Sequence, residues 1–237
     1  MTCRLCGWLC AWLCSDTDAA LATLQKKSRA WESAHSNEYE LWSKVSDQQR
    51  GMLDTAKAIR SRDAAAAFRL YLDLANDGVV WAMEVVGYCY QHGYGTSAPP
   101  DLERARTYYK RAMEAGSSMA MLKYAWLLAN RGQIVVSERL LQESAEAGFI
   151  PAYYWLARCR FRQSSDRQTC SEIKPLLVRA ADAGHPAAAE MLARLRMRGK
   201  FGFREIPRGV REMWQIAGEL GAAHSAPDAK DASAAVA

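Results

Sequence analysis

The sequence predicts an all-α, right-handed superhelical solenoid of antiparallel helix hairpins. Three observations carry that prediction. A Gly followed four residues later by a small residue recurs at Gly78/Ala82, Gly116/Ala120, Gly148/Ala152, Gly184/Ala188 and Gly221/Ser225, with Gly spacings of 38, 32, 36 and 37. The residues before each Gly also recur, as DLANDG, RAMEAG, ESAEAG, RAADAG and IAGELG. Third, large-then-small pairs (Val86-Gly87, Tyr124-Ala125, Leu156-Ala157, Leu192-Ala193) follow each marker Ala. Large pairs (Leu70-Tyr71, Tyr108-Tyr109, Leu140-Leu141, Leu176-Leu177, Met213-Trp214) precede each Gly. Self-similarity at this period is the mark of stacked units that each bury too little alone.

Each element has a physical reason. The Gly ends the second helix of a unit, where a left-handed residue caps the last carbonyls. The small residues let helices approach, and the large pair fills the space between hairpins. Asp63 and Asp101 each stand fifteen residues before a marker Gly, where a carboxylate accepts from free N–H groups at a helix start. The hairpins are predicted at 52–59 with 63–76, 81–92 with 101–115, 118–130 with 136–147, 151–162 with 171–183, and 187–198 with 207–220. Pro99-Pro100, Pro175 and Pro207 fall in turns or first helical turns, where a missing N–H costs little. The total expected is nine to eleven helices and no strand.

The best-formed copy carries Ala82, Gly87, Tyr90, Gly93, Gly95, Asp101, Ala105, Tyr108, Tyr109 and Ala112. That pattern resembles the Sel1-like repeat, a relative of the tetratricopeptide repeat, and the resemblance covers about residues 50–222. Arg160 and Arg196 replace the pattern's Tyr90, and the second copy lacks the G-x-G turn. The resemblance implies a non-enzymatic scaffold with first helices lining a concave surface. Some proteins of this kind carry paired cysteines within each repeat. Here the pairing reduces to Cys159 with Cys170; the alternative is that both, and Cys89, are small buried hydrophobes.

The chain divides into a signal peptide or lead-in segment at 1–22, a helical N-terminal extension at 23–50, the repeats at 51–222 and a disordered tail at 223–237. Within 23–50, Ser36-Asn37 with Glu40 reads as a helix start. Arg4, the apolar LCGWLCAWLC and the small-x-small Ala20-Leu21-Ala22 read as a secretory signal. That reading gives a bacterial, periplasmic or secreted protein of the cell envelope; the alternative is an amphipathic lead-in helix on a cytoplasmic protein. The ten-residue apolar run is too short to span a bilayer.

The sequence offers no catalytic constellation. Cys3, Cys6, Cys10 and Cys14 give a zinc half-site without its second half. His35, His92, His185 and His224 share no spacing. Ser171-Glu172-Ile173-Lys174 matches S-x-x-K without its companion motifs. Gly93-Tyr94-Gly95 lacks the third Gly of a dinucleotide loop. No enzyme, metal or cofactor follows.

The binding face is read from helical rotation of about 100° per residue. Counting each first helix from its marker Ala, offsets 0, +4, +5 and +8 form the core face. Offsets −1, +2, +6, +9 and +10 are expected on the opposite side. That stripe supplies the candidate partner-binding residues Trp81, Glu84, Tyr88, His92, Trp126, Asn130, Tyr154, Arg158, Arg162, Arg194 and Arg198. Arg158/Arg162 recur as Arg194/Arg198 at the same offsets, and residues 156–211 hold 13 Lys and Arg against 5 Asp and Glu. The first expectation is a protein or peptide segment as ligand. The alternative is an acidic polymer or glycan on the Arg-rich half. Nucleic acid is disfavoured by a net charge of only +5.

Overall fold

The computed structural model describes residues 17–225, and among them are twelve α-helices, one 3-10 turn and no strand. The helices are α1 (Thr17–Ala34), α2 (Glu38–Ser43), α3 (Asp47–Ile59), α4 (Ala64–Asn76), α5 (Val80–His92), α6 (Leu102–Glu114), α7 (Ser118–Asn130), α8 (Ile134–Glu146), α9 (Ile150–Gln163), α10 (Arg167–Asp182), α11 (Pro186–Met197) and α12 (Ile206–Ser225). The fold is an all-α solenoid of helix hairpins. The count exceeds the expected nine to eleven because the N-terminal extension resolves into α1 and the short α2, separate from α3. Most of the signal-peptide segment, and the expected tail from residue 226 on, lie outside the described residues, whereas residues 223–225 of that tail form the end of α12.

Two compact units make up the chain. The larger unit is Glu32–Gln163; the smaller is Met1–Trp31 with Ser164–Ala237. In the larger unit each helix from α3 to α8 packs on its successor, α7 also meets α9, and α2 packs on α5. In the smaller unit α10 packs on α11 and α11 on α12.

The markers do what their chemistry requires. Gly78, Gly116, Gly148 and Gly184 have φ of 87°, 95°, 91° and 91°, a left-handed conformation costly for other residues. Beyond Gly116, Ser117 N donates to Ala112 O at 3.0 Å, while Gly116 N donates to Met113 O at 2.9 Å. This is the paired helix-end bonding that satisfies orphan carbonyls. Ala82, Ala120, Ala152 and Ala188 are all fully buried. The second member of each of the first four large pairs, Tyr71, Tyr109, Leu141 and Leu177, is buried as well. A Cβ on Gly87 would come within 2.7 Å of the Tyr109 ring, so the small residue after Val86 is what admits that ring. Asp63 and Asp101 cap α4 and α6, accepting from Ala66 N at 2.9 Å and from Glu103 N and Arg104 N at 3.0 and 2.9 Å.

Two expectations fail. Gly221 does not end a helix, because α12 runs through it to Ser225. The preceding pair shows why: Met213 is buried and Trp214 is 45% exposed. The last copy is therefore one residue out of register with the marker. Pro175 lies not in a first turn but inside α10. Asp166 starts that helix early, its carboxylate accepting from Thr169 N at 2.7 Å. Pro175 then leaves the carbonyl four residues back without its N–H partner, the cost that keeps Pro out of most helix interiors.

Candidate functional site

The first-helix face of the larger unit is divided along its length. Residues 32–45 of the same chain lie over the N-terminal parts of the first helices. Asn37 bridges α6 and α7: its Nδ2 donates to Gly116 O at 2.7 Å, and its Oδ1 accepts from Ser118 N at 3.1 Å and Ser118 Oγ at 2.9 Å. Trp42 meets Trp81 edge-on at 6.4 Å between centroids, and Lys57 Nζ lies 4.8 and 5.0 Å from the two rings. The carboxylate of Glu32, itself buried, accepts from Trp155 Nε1 at 2.8 Å.

This covering changes the standing of several candidates. Trp81 is half-buried between Trp42 and Tyr71. Glu84 is 3% exposed; its carboxylate accepts from Ser117 Oγ at 2.5 Å and from Lys123 Nζ at 2.7 Å. Ser117 in turn caps α7, accepting from Ala120 N at 2.9 Å. One buried carboxylate thus ties one repeat to the start of the next. Offset +2, expected to face outward, is buried at Glu84, Leu122 and Glu190. A first helix has neighbours on more than one side, so one apolar face does not exhaust its buried surface. Tyr154 and Trp126 are half-buried.

The C-terminal parts of the same helices stay open. Tyr88, His92, Asn130, Arg158 and Arg162 are exposed. Arg162 Nη1 donates to Asn130 Oδ1 at 2.9 Å, joining two candidates from consecutive repeats. The Arg158 guanidinium lies 5.1 Å from the centre of the Trp155 ring. Trp126, Arg158 and Arg162 border a crevice of about 20 Å³, room for a water rather than a small-molecule ligand. The Tyr88 and His92 rings meet at a tilt of 46° with 4.4 Å between centroids, and Tyr94 lies 5.8 Å from both. Tyr94 was legible only as the middle of a turn. Its position is fixed by Gly95, where a Cβ would come within 2.2 Å of Ala64 O. Asn37, Trp155 and Lys123 were likewise missed, because their roles depend on partners far away in sequence.

In the smaller unit, Arg194 is exposed on α11 and Arg198 at its C-cap, with Arg194 bonded to the buried Glu190. Burial pushes the Glu190 carboxyl above its ordinary range, against the pull of Arg194. Trp31 packs against the buried His185, 5.0 Å between ring centres, and His185 caps α11 by accepting from Ala188 N at 3.2 Å. Part of the basic run is paired internally: Arg196 bonds Glu205 at 2.9 Å and Glu212 at 2.6 Å, and Lys174 bonds Glu205 at 2.7 Å.

Cys89, Cys159 and Cys170 are free and buried, so the pairing of Cys159 with Cys170 is not formed. Each thiol is held within its own unit. Cys159 neighbours Ser137 and Glu138, and Cys170 points its Sγ at Ser165 O, 3.7 Å away. Burial raises all three thiols, Cys89 to about 11, which keeps them protonated at neutral pH. Among the described residues no group of three or more His, Cys, Asp or Glu is arranged to hold a metal; the early cysteines lie outside them. No described helix is long and apolar enough to cross a membrane.

Known structures place this architecture. The chain is similar to a protective antigen present in uropathogenic Escherichia coli strains that displays an SLR fold, with a TM-score of 0.56 and 16% identity over 72% of this chain. That match spans only 38% of the antigen's length. It is also similar to a Sel1 repeat protein from Oxalobacter formigenes, with a TM-score of 0.56 and 18% identity over 78% of this chain and 84% of the other. The fold is the Sel1-like repeat fold. No protein-family model and no curated protein matches the sequence.

Proposed function

We propose that the protein is a non-enzymatic interaction scaffold that binds a protein segment along the open C-terminal parts of its first helices. The observation that carries this reading is the strip running from Tyr88, His92 and Tyr94, past Trp126 and Asn130, to Arg158 and Arg162. Exposed aromatics and arginines are the side chains that dominate recognition surfaces. The strip crosses three first helices set about 10 Å apart, a span that about six or seven extended residues would cover. An acidic residue of the ligand meets the Arg158/Arg162 end, and apolar or aromatic residues meet the Tyr88 end. Arg194 and Arg198 repeat the arginine offsets within the smaller unit, but Arg194 is held by the buried Glu190, which leaves Arg198 to offer that chemistry there.

The test is binding of acidic, neutral and basic peptides carrying one aromatic residue, with wild-type protein and Arg158→Glu/Arg162→Glu. The expected result is selective binding of the acidic peptide that the variant loses while its melting temperature holds. Unchanged binding by the variant would move the partner to another surface. An acidic polymer or glycan is distinguished by salt: a ligand held mainly by charge weakens steeply as ionic strength rises. The internal pairing of Arg196 and Lys174 favours the protein segment over that alternative.

A further inference from the structure

Residues 37–45 cover their face through one short helix and a few side-chain anchors. Helix α2 has six residues, far below the length at which an isolated helix persists. Asn37 stands at its N-cap, yet its side chain makes no bond to its own helix. The carboxamide instead joins Gly116 O to the first N–H of α7. The segment's apolar anchors are Leu41 and Val45, both buried, and Trp42, half-buried on Trp81. Its outer side is open, and Tyr39 there is 86% exposed.

The segment is therefore a short ligand in form: one amide that reads a helix junction, followed at four, five and eight residues by apolar anchors. We infer that the face beneath it, from Trp81 to Ser118, is a second docking surface. Its partner is a short amphipathic helix with that same pattern, Asn followed by apolar residues at those spacings, and the chain's own segment is the resting occupant. The tethered segment competes at an effective concentration on the order of millimolar, so an outside helix gains access only when the latch is loosened. This surface is separate from the arginine strip and does not depend on its ligand.

The probe is a fluorescent peptide of residues 35–46, added to full-length wild-type protein and to Asn37→Ala/Trp42→Ala. The variant is expected to bind the peptide saturably and at least roughly tenfold tighter than the wild type, because the tethered competitor has lost its anchors. The same peptide carrying Asn37→Ala or Trp42→Ala is expected to lose that binding. In the wild type, amide exchange at residues 38–44 is expected to outrun that of α5 and α7. No binding by the folded variant, or exchange of 38–44 only in step with α5 and α7, overturns the inference. So does loss of helical circular dichroism in the variant, which would make the segment an indispensable part of the fold.

Discussion

Glu84 and Glu190 occupy the same place in their repeats, two residues after Ala82 and Ala188, and both are buried. Glu84 is bound by Ser117 and Lys123, side chains of the next repeat. Glu190 is bound by Arg194, one turn along its own helix, and its carboxyl is pushed up by burial. The same residue at the same offset is in one case a bolt between repeats and in the other a burden partly relieved by a local cation. Burial alone does not say which; the partners do.

That comparison can be broken by mutation, and the largest effect is expected at Glu84. Glu84→Ala removes the acceptor of both Ser117 Oγ and Lys123 Nζ. Breaking a well-buried pair costs about 3–5 kcal/mol, and because Lys123 keeps a third of its side chain exposed we expect about 2–3 kcal/mol. Denaturant unfolding checks it, and a loss below about 0.5 kcal/mol, the scatter of ordinary surface substitutions, would show that the network contributes little.

Arg194→Glu comes next. It leaves Glu190 buried beside a like charge, so the melting temperature is expected to fall, in contrast to the neutral outcome expected for Arg158→Glu. The sequence alone treats the two arginines as equivalent. Equal melting temperatures for the two variants would restore that equivalence.

Glu190→Gln has the opposite sign. A carboxyl raised above its ordinary 4.5 in the folded state favours folding most when protonated, and loses that advantage as pH rises through the folded value. At neutral pH the ionised form is a liability, so the Gln variant is expected to be as stable as the wild type or slightly more so, by up to about 1 kcal/mol. The gain should vanish below pH 4.5, where both states hold the proton. Thermal melts at three pH values read this directly.

The smallest effect is at Glu205, whose carboxyl the Lys174 bond holds below 4.5. Its contribution is present above that value and is lost as pH falls through the folded one. Glu205→Gln is therefore expected to cost under about 1 kcal/mol at neutral pH and nothing in strong acid, the reverse of the Glu190 profile.

Much of the fold was legible in advance because helix ends and close approaches have few chemical solutions. The Gly of each marker is required by a left-handed cap, the Ala by a helix crossing, and the Asp at residues 63 and 101 by free N–H groups. Where the rule weakened, as at Gly221 and Pro175, the reason was local: a register slip of one residue, and an N-cap at Asp166 that started α10 early. The candidate face was legible only in part. Rotation about one helix axis separates core from non-core, but it cannot say which non-core residues another segment covers.

The sequence by itself determined the repeating hairpins and their boundaries to within a few residues, because each follows from contacts within one repeat or between neighbours in order. Only the tertiary structure decided that Asn37 seals the junction of α6 and α7, that Trp42 covers Trp81, that Glu84 is a bolt, and that Tyr94 joins the exposed aromatics. Asn37 and Ser118 stand 81 residues apart. A pairing at that distance leaves no periodic trace, since it depends on where the chain returns and on which polar groups are left wanting a partner when it does.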